Sequence, residues 1–283
     1  MIFKNAMSFN AKIKHVAKEK GVTAQQVQQN YLIEAFLIKL SQSKYKDKFI
    51  IKGGYLIGGM IGIDLRTTMD LDATIKGFEL TAENLYTITN EIVSVPTEES
   101  FSFALKDVEE IRETEDYPGY RMKLLAKFEQ IHEIISIDVT TGDIITPREV
   151  NFNFKKMFNE DKIELLSYPL ETVLAEKIET ILSRGIAITR PRDFYDVYIL
   201  SKLKADQINY HTLKLAIENT KEKRKSTFVT ADYELIISEL RESNFQYQLW
   251  EKYRKQYRYA KETTFDEVII SVKELLDIIE KED

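Results

Sequence analysis

Phe49-Ile50-Ile51-Lys52-Gly53-Gly54-Tyr55, followed shortly by Arg66-Thr67-Thr68-Met69-Asp70-Leu71-Asp72-Ala73-Thr74-Ile75, carries the clearest structural signals in the chain. The first three residues form a short apolar run and predict a strand. The glycines after it are dense: Gly53, Gly54, Gly58, Gly59 and Gly62 make up half of the ten in the chain. Glycines adjoining a strand let the backbone turn sharply and let another group come close. A helix is expected over 55–63. From Asp70 to Ile75 polar and apolar residues alternate, which predicts a strand with one wet face.

Outward from this centre, Thr23 and Gln26 have capping-box spacing, three residues apart. After them Val27, Tyr31, Ile33, Phe36, Leu37 and Leu40 recur at helical intervals. Thr81 is the expected cap of a helix over 81–93. Residues 120–128 and 134–139 predict two strands, with a hairpin turn in 129–133. Thr141-Gly142-Asp143 ends the second strand and Pro147 marks a break. Beyond about residue 150 helical periodicity takes over, at 170–184, 192–200, 206–216, 233–241 and 265–280. The fold class expected is therefore α+β. A domain over 1–150, a mixed β-sheet with flanking helices, precedes a mainly α-helical domain over 151–283.

The 283 residues are enough for one large or two ordinary domains, and 43% are hydrophobic, so a substantial core can form. No run approaches the roughly 18 apolar residues of a membrane span. Met1-Ile2-Phe3-Lys4-Asn5 does not open a signal peptide. Cysteine is absent, which excludes disulfides, thiolate metal sites and a cysteine nucleophile. A cytoplasmic protein without membrane contact is expected. The formal charge of −6 argues against a uniformly basic nucleic-acid coat but leaves room for a local basic groove.

On a strand, residues i and i+2 face the same way, so Asp70 and Asp72 project together, about 6–7 Å apart. Asp-x-Asp on its own more often marks a solvated strand face than a site. Here a double glycine precedes it, whose amides can approach a phosphate, with a helix N-terminus behind them. A further strand aspartate follows. Asp138, between apolar Ile137 and Val139, is the expected third carboxylate, and Asp143 is the runner-up. Such a set suits hard divalent cations, Mg²⁺ or Mn²⁺, which take oxygen ligands and share phosphates of a bound nucleotide.

Lys52-Gly53-Gly54-x-Leu56 with Arg66-Thr67-Thr68-Met69-Asp70-Leu71-Asp72 resembles the first motif of the AbiEii/AbiGii toxin family, MenT-like members of the DNA polymerase β nucleotidyltransferase superfamily. The resemblance continues in Ile137-Asp138-Val139-x-x-Gly142-Asp143, in Leu174-Ala175-Glu176-Lys177 and in Arg192-Asp193-Phe194-Tyr195-Asp196-Val197-Tyr198. It spans roughly residues 45–200. Many relatives have Gly-Ser where Gly53-Gly54 stands, so here backbone amides replace a serine hydroxyl.

The resemblance implies a nucleotidyltransferase-like sheet and a role for each matched residue. Asp70 and Asp72 hold metal; Asp138 completes the site or helps to deprotonate the acceptor hydroxyl. Lys177 neutralises the triphosphate, and Asp193 or Asp196 lies near it. Lys52, Gly53 and Gly54 border the nucleotide. Arg66 either offsets the acidic charge or touches the nucleotide. From spacing alone, Lys177 reads more readily as a snorkelling lysine than as a substrate ligand, and Arg192, Asp193 and Asp196 read equally as an ion-pair network.

The activity so implied is transfer of a nucleoside monophosphate from an NTP to an acceptor, with the tRNA 3′ end preferred. The implied setting is a toxin–antitoxin or phage-defence (abortive infection) pair with an antitoxin encoded nearby. The alternatives are an NTP- or GTP-binding module without turnover, and NMP transfer to a protein. Trp250 to Tyr259 interleaves rings with cations, a mix that suits stacked bases, although Trp250, Tyr253 and Tyr257 also recur at core spacing. Lys221 to Lys225 is expected at an exposed loop or helix end.

Overall fold

A computed structural model describes residues 2–111, 119–228 and 232–281. These fall into two compact units: residues 1–143 with 150–167, and residues 144–149 with 168–283.

The first unit is built on a seven-stranded mixed sheet. Its strands are β1 (Phe49–Lys52), β2 (Asp70–Ile75), β3 (Ser102–Glu110), β4 (Gly119–Phe128), β5 (Ile131–Thr141), β6 (Val150–Lys155) and β7 (Lys162–Ser167), in the order β3-β4-β5-β2-β1-β7-β6. β2 pairs with β5, and β1 with β7, in parallel; the other neighbours are antiparallel. Four helices accompany the sheet: α1 (Ala6–Lys20), α2 (Ala24–Ser41), α3 (Gly53–Ile61) and α4 (Ala82–Val93). α2 opens on the expected capping box of Thr23 and Gln26, and α4 on Thr81.

α2 is buried on almost every side, with Tyr31, Leu32, Ile33, Ala35, Phe36 and Leu37 in the core. A helix apolar all round belongs inside a unit, and α2 lies against α1, α4 and strands β2, β5 and β7. Phe3, Phe9, Tyr31 and Phe101 meet mostly edge to face beneath it.

The second unit is helical: α5 (Leu170–Arg184), α6 (Pro191–Lys204), α7 (Tyr210–Lys223), α8 (Tyr233–Glu242), α9 (Asn244–Gln256) and α10 (Phe265–Glu280). α6 begins with Pro191 in its first turn, where the missing N–H has no partner to lose. α10 opens on a capping box of Thr264 and Glu267. Trp250 is fully buried and its indole N–H donates to the Thr263 carbonyl at 3.1 Å.

The structure departs from the sequence reading in places with physical reasons. Helices do not take over near residue 150: the β6–β7 hairpin extends the sheet first, and α5 begins at Leu170. The hairpin's apolar residues, Phe152 and Phe154 opposite Leu165 and Ile163, alternate over runs too short to stand out. The helix expected at residue 55 starts two residues earlier, at the glycines themselves. The turn expected over 129–133 shrinks to Glu129 and Gln130, with Glu129 at positive φ. α1 and the edge strand β3 were not read from the sequence. α1 is framed by an Asn5 cap and a left-handed Gly21 and buries Phe9, Ile13, Val16 and Ala17.

Candidate active site

Four charged residues stand in one line across the sheet. Lys52 on β1 is directly opposite Asp72 on β2, Asp72 is opposite Asp138 on β5, and Asp138 is opposite Arg121 on β4. Directly paired residues of neighbouring strands share a face, so the row reads cation, carboxylate, carboxylate, cation. Asp70, two residues before Asp72, lies on the same face. β2 is alternately half-exposed and buried over Asp70 to Ala73, with Leu71 and Ala73 in the core. Alternation thus aims the carboxylates away from the apolar packing that holds the strand.

The glycines explain themselves here. Gly53 has φ +65°, a conformation L side chains resist, and a β-carbon built on it would come within 2.0 Å of Asp72 Oδ2. The Asp72 carboxylate therefore sits against the first residue of α3. Lys52, the N-cap residue of that helix, makes no capping hydrogen bond with its side chain, and the helix's positive end faces the same place. Gly54 is also close-packed: a β-carbon on it would come within 3.1 Å of the Thr68 side chain and 3.2 Å of the Arg66 guanidinium. Gly58 is needed beneath the Arg66 carbonyl, which a β-carbon would approach to 2.8 Å.

Each charged group is held by defined neighbours. Asp70 Oδ1 accepts from the Thr68 hydroxyl at 2.5 Å. Arg121 donates from Nε and from a terminal nitrogen to the two oxygens of Asp138, both at 2.7 Å. This fork is the geometry in which guanidinium and carboxylate pair best. Those hydrogen bonds and the Asp138 charge push the Arg121 guanidinium further up, with Asp70 adding to the effect. Lys52, only 8% exposed, donates to the Thr140 hydroxyl at 2.8 Å and pairs with Asp143. Arg66 is buried and donates to the Thr67 carbonyl.

The structure thus brings together Lys52, Gly53, Gly54, Arg66, Asp70, Asp72 and Asp138, all in the first unit. Asp143, the alternative third carboxylate, is the partner of Lys52. The Asp70 and Asp72 carboxylates with the Thr68 hydroxyl are hard oxygen donors of the kind a hard cation takes. Among the described residues no three acidic, imidazole or thiol side chains close on one point as a metal cage. A cation on this face would therefore complete its shell with water and phosphate oxygens.

Lys177, Asp193 and Asp196 form a separate cluster within the second unit. Lys177 Nζ lies 2.6 Å from Asp193 and 3.1 Å from Asp196, and both carboxylates have no exposed side-chain surface. Arg190 Nε stands 2.8 Å from the second Asp193 oxygen, off the line of a hydrogen bond. The cluster ties α5 to the first two turns of α6, and both acids engage Lys177. Arg184 is exposed. The 221–225 segment is the end of α7, where Arg224 reaches back to Glu179 and Thr180 on α5. In the 250–259 segment Trp250 and Tyr253 are core, and Tyr257 and Tyr259 stack at 5.3 Å over them.

Sequence reasoning missed Arg121, Thr68 and Thr140. Arg121 alternates with apolar Met122 and Leu124, which marks the wet face, but only strand register puts it opposite Asp138.

This sheet order, with an acidic pair on a central strand and a double glycine opening the adjoining helix, is that of a nucleotidyltransferase-like protein. A crystal structure from H. pylori, provisionally described as a nucleotidyltransferase, superposes with a TM-score of 0.54 over 92% of this chain and 96% of its own, at 15% identity. JHP933 from Helicobacter pylori gives the same score and identity over 92% and 93% of the two chains. At that identity the likeness is one of fold. No curated protein sequence matches the chain. Residues 35–271 match the family described as "Nucleotidyl transferase AbiEii toxin, Type IV TA system".

The chain belongs to this AbiEii nucleotidyltransferase toxin family. It is a transferase of toxin type, and the family implies an NTP substrate and an antitoxin partner within a type IV toxin–antitoxin system. Among the described residues no helix is long and apolar enough to cross a membrane.

Proposed function

We propose that the chain transfers a nucleoside monophosphate from an NTP to an acceptor hydroxyl with release of pyrophosphate, and that the tRNA 3′ end is the acceptor. The observation that carries this reading is the row of Asp72 and Asp138 beside Asp70, with the Asp72 carboxylate against the first residue of α3. Asp70 and Asp72 would hold a divalent cation, Mg²⁺ or Mn²⁺, and Asp138 would lend the third carboxylate. A bound cation supplies charge neutralisation for the phosphates and for the attacking oxygen.

The chain's own residues do the rest by positioning and electrostatics. Gly53, with no β-carbon, lets the Asp72 carboxylate sit against the start of α3, whose positive end would face the nucleotide phosphates. Thr68 fixes the rotamer of Asp70 through its hydroxyl. Lys52, held by Asp143 and Thr140, adds fixed positive charge to the same face. Lys177, Asp193 and Asp196 enter through the family resemblance, which assigns Lys177 to the triphosphate. A cognate antitoxin would oppose this transfer, and a cytoplasmic site of action fits an RNA acceptor.

The test is incubation with total RNA, Mg²⁺ and each α-labelled NTP in turn. Wild-type protein is expected to label a tRNA-sized band, and Asp72→Asn to lose at least 100-fold of that labelling. Full labelling by Asp72→Asn would remove the metal-site assignment. Label entering protein instead of RNA would move the acceptor to a polypeptide. Nucleotide-dependent stabilisation without transfer would make the chain a binding module.

A further inference from the structure

Arg121 is the residue at this site that no motif marks. Its fork covers both oxygens of Asp138, while its side chain remains 39% exposed and that of Asp138 is 16% exposed. Asp138 in turn is the strand partner of Asp72. The carboxylate best placed to join Asp72 around a cation is therefore already occupied by a cation of the protein's own.

Three features distinguish this pair from an ordinary cross-strand ion pair. First, the neighbouring acids are differently held: Asp143 pairs with Lys52, and Asp70 accepts from a neutral hydroxyl. Positive charge from Arg121 thus falls on the acidic centre itself, where Asp70 also acts on it. Second, a half-exposed pair is held only modestly against water and salt, so a double charge at the same carboxylate can displace it. Third, Arg121 comes from β4, beyond the strands that carry the aspartates. Its guanidinium can leave Asp138 without disturbing β2 or β5.

We propose that Arg121 is a positioning residue that competes with the divalent cation for Asp138, so that the guanidinium neutralises Asp138 until a cation binds and full carboxylate coordination forms only when the cation displaces it. The proposal rests on the reading of Asp70 and Asp72 as the cation's ligands. It assigns Arg121 a measurable effect on metal affinity before any nucleotide is added. Displacement also frees a guanidinium beside the centre, where the phosphates of the NTP would be its natural acceptors.

The test is direct titration of the full-length protein with Mn²⁺ alone, following free Mn²⁺ by electron paramagnetic resonance. Arg121→Gln is expected to tighten Mn²⁺ binding about tenfold, and Arg121→Lys, which keeps the charge but loses the fork, by a few-fold. The gain must vanish when Arg121→Gln is combined with Asp138→Asn. Unchanged or weaker binding in Arg121→Gln, with the wild-type circular dichroism spectrum retained and with Asp72→Asn abolishing binding, overturns the competition while sparing the metal-site reading. Absence of Mn²⁺ binding in wild type and in both Arg121 variants overturns both. Should Arg121→Gln not fold, the few-fold gain in Arg121→Lys and its loss on adding Asp138→Asn decide the matter alone.

Discussion

Gly53 shows how much one missing carbon can determine. It takes φ +65° and yields its β-carbon position to an Asp72 oxygen. Gly53→Ala brings a left-handed backbone penalty of about 1–2 kcal/mol and pushes the carboxylate out of place. The variant should fold with a lowered melting temperature and transfer nucleotide at least tenfold more slowly; wild-type transfer would show that Asp72 tolerates displacement. Lys177 presents the opposite problem, since it is bound by two buried carboxylates. Breaking a buried ion pair by removing one partner destabilises by about 3–5 kcal/mol. Lys177→Met should therefore lower stability in urea denaturation as well as activity. Unchanged stability would show that the ion pairs of Lys177 contribute nothing to the fold.

At the scale of the element, α2 carries an acid where only apolar residues would be expected. Glu34 is buried among core residues and accepts from the Met157 amide at 2.6 Å. Burial pushes its carboxyl up to about 7, although the Met157 hydrogen bond opposes the rise. The folded state then holds a proton that the unfolded chain releases near the ordinary carboxylate value, so stability falls as pH rises from about 5 to 7. The difference amounts to about 3 kcal/mol at one pKa unit per 1.36 kcal/mol. Glu34→Gln keeps an acceptor for Met157 and should flatten that slope and raise the melting temperature at pH 8. A variant with the wild-type pH profile would show that Glu34 is ionised within the fold.

Elements also mark what could be read in advance. α2, β2, α4, β4, α5 and α10 were legible because period, cap and length agreed. β3 was not, because an edge strand with one covered face mixes charged and apolar residues without clean alternation. β6 and β7 are short, and their meaning lies in pairing with each other and with β1, which no local pattern encodes. The acidic pair and glycines of the candidate site were visible in the sequence. Arg121 was not, since its partner lies 17 residues away and is chosen by hairpin register.

For the whole molecule, the family match over 35–271 runs through both compact units. The sheet unit carries the aspartate face and the helical unit carries the Lys177 cluster, each with ion pairs of its own. A chain of net charge −6 will not hold RNA by bulk attraction, so transfer to a nucleic acid should depend on local contacts. Nucleotidyl transfer at Asp70 and Asp72 is distinguished from other phosphate chemistry by the position of the label. Parallel reactions with an α-labelled and a γ-labelled NTP, total RNA and Mg²⁺ should transfer the α-label to an acceptor and release the γ-label as pyrophosphate. Transfer of the γ-label, or no transfer of either, would contradict it.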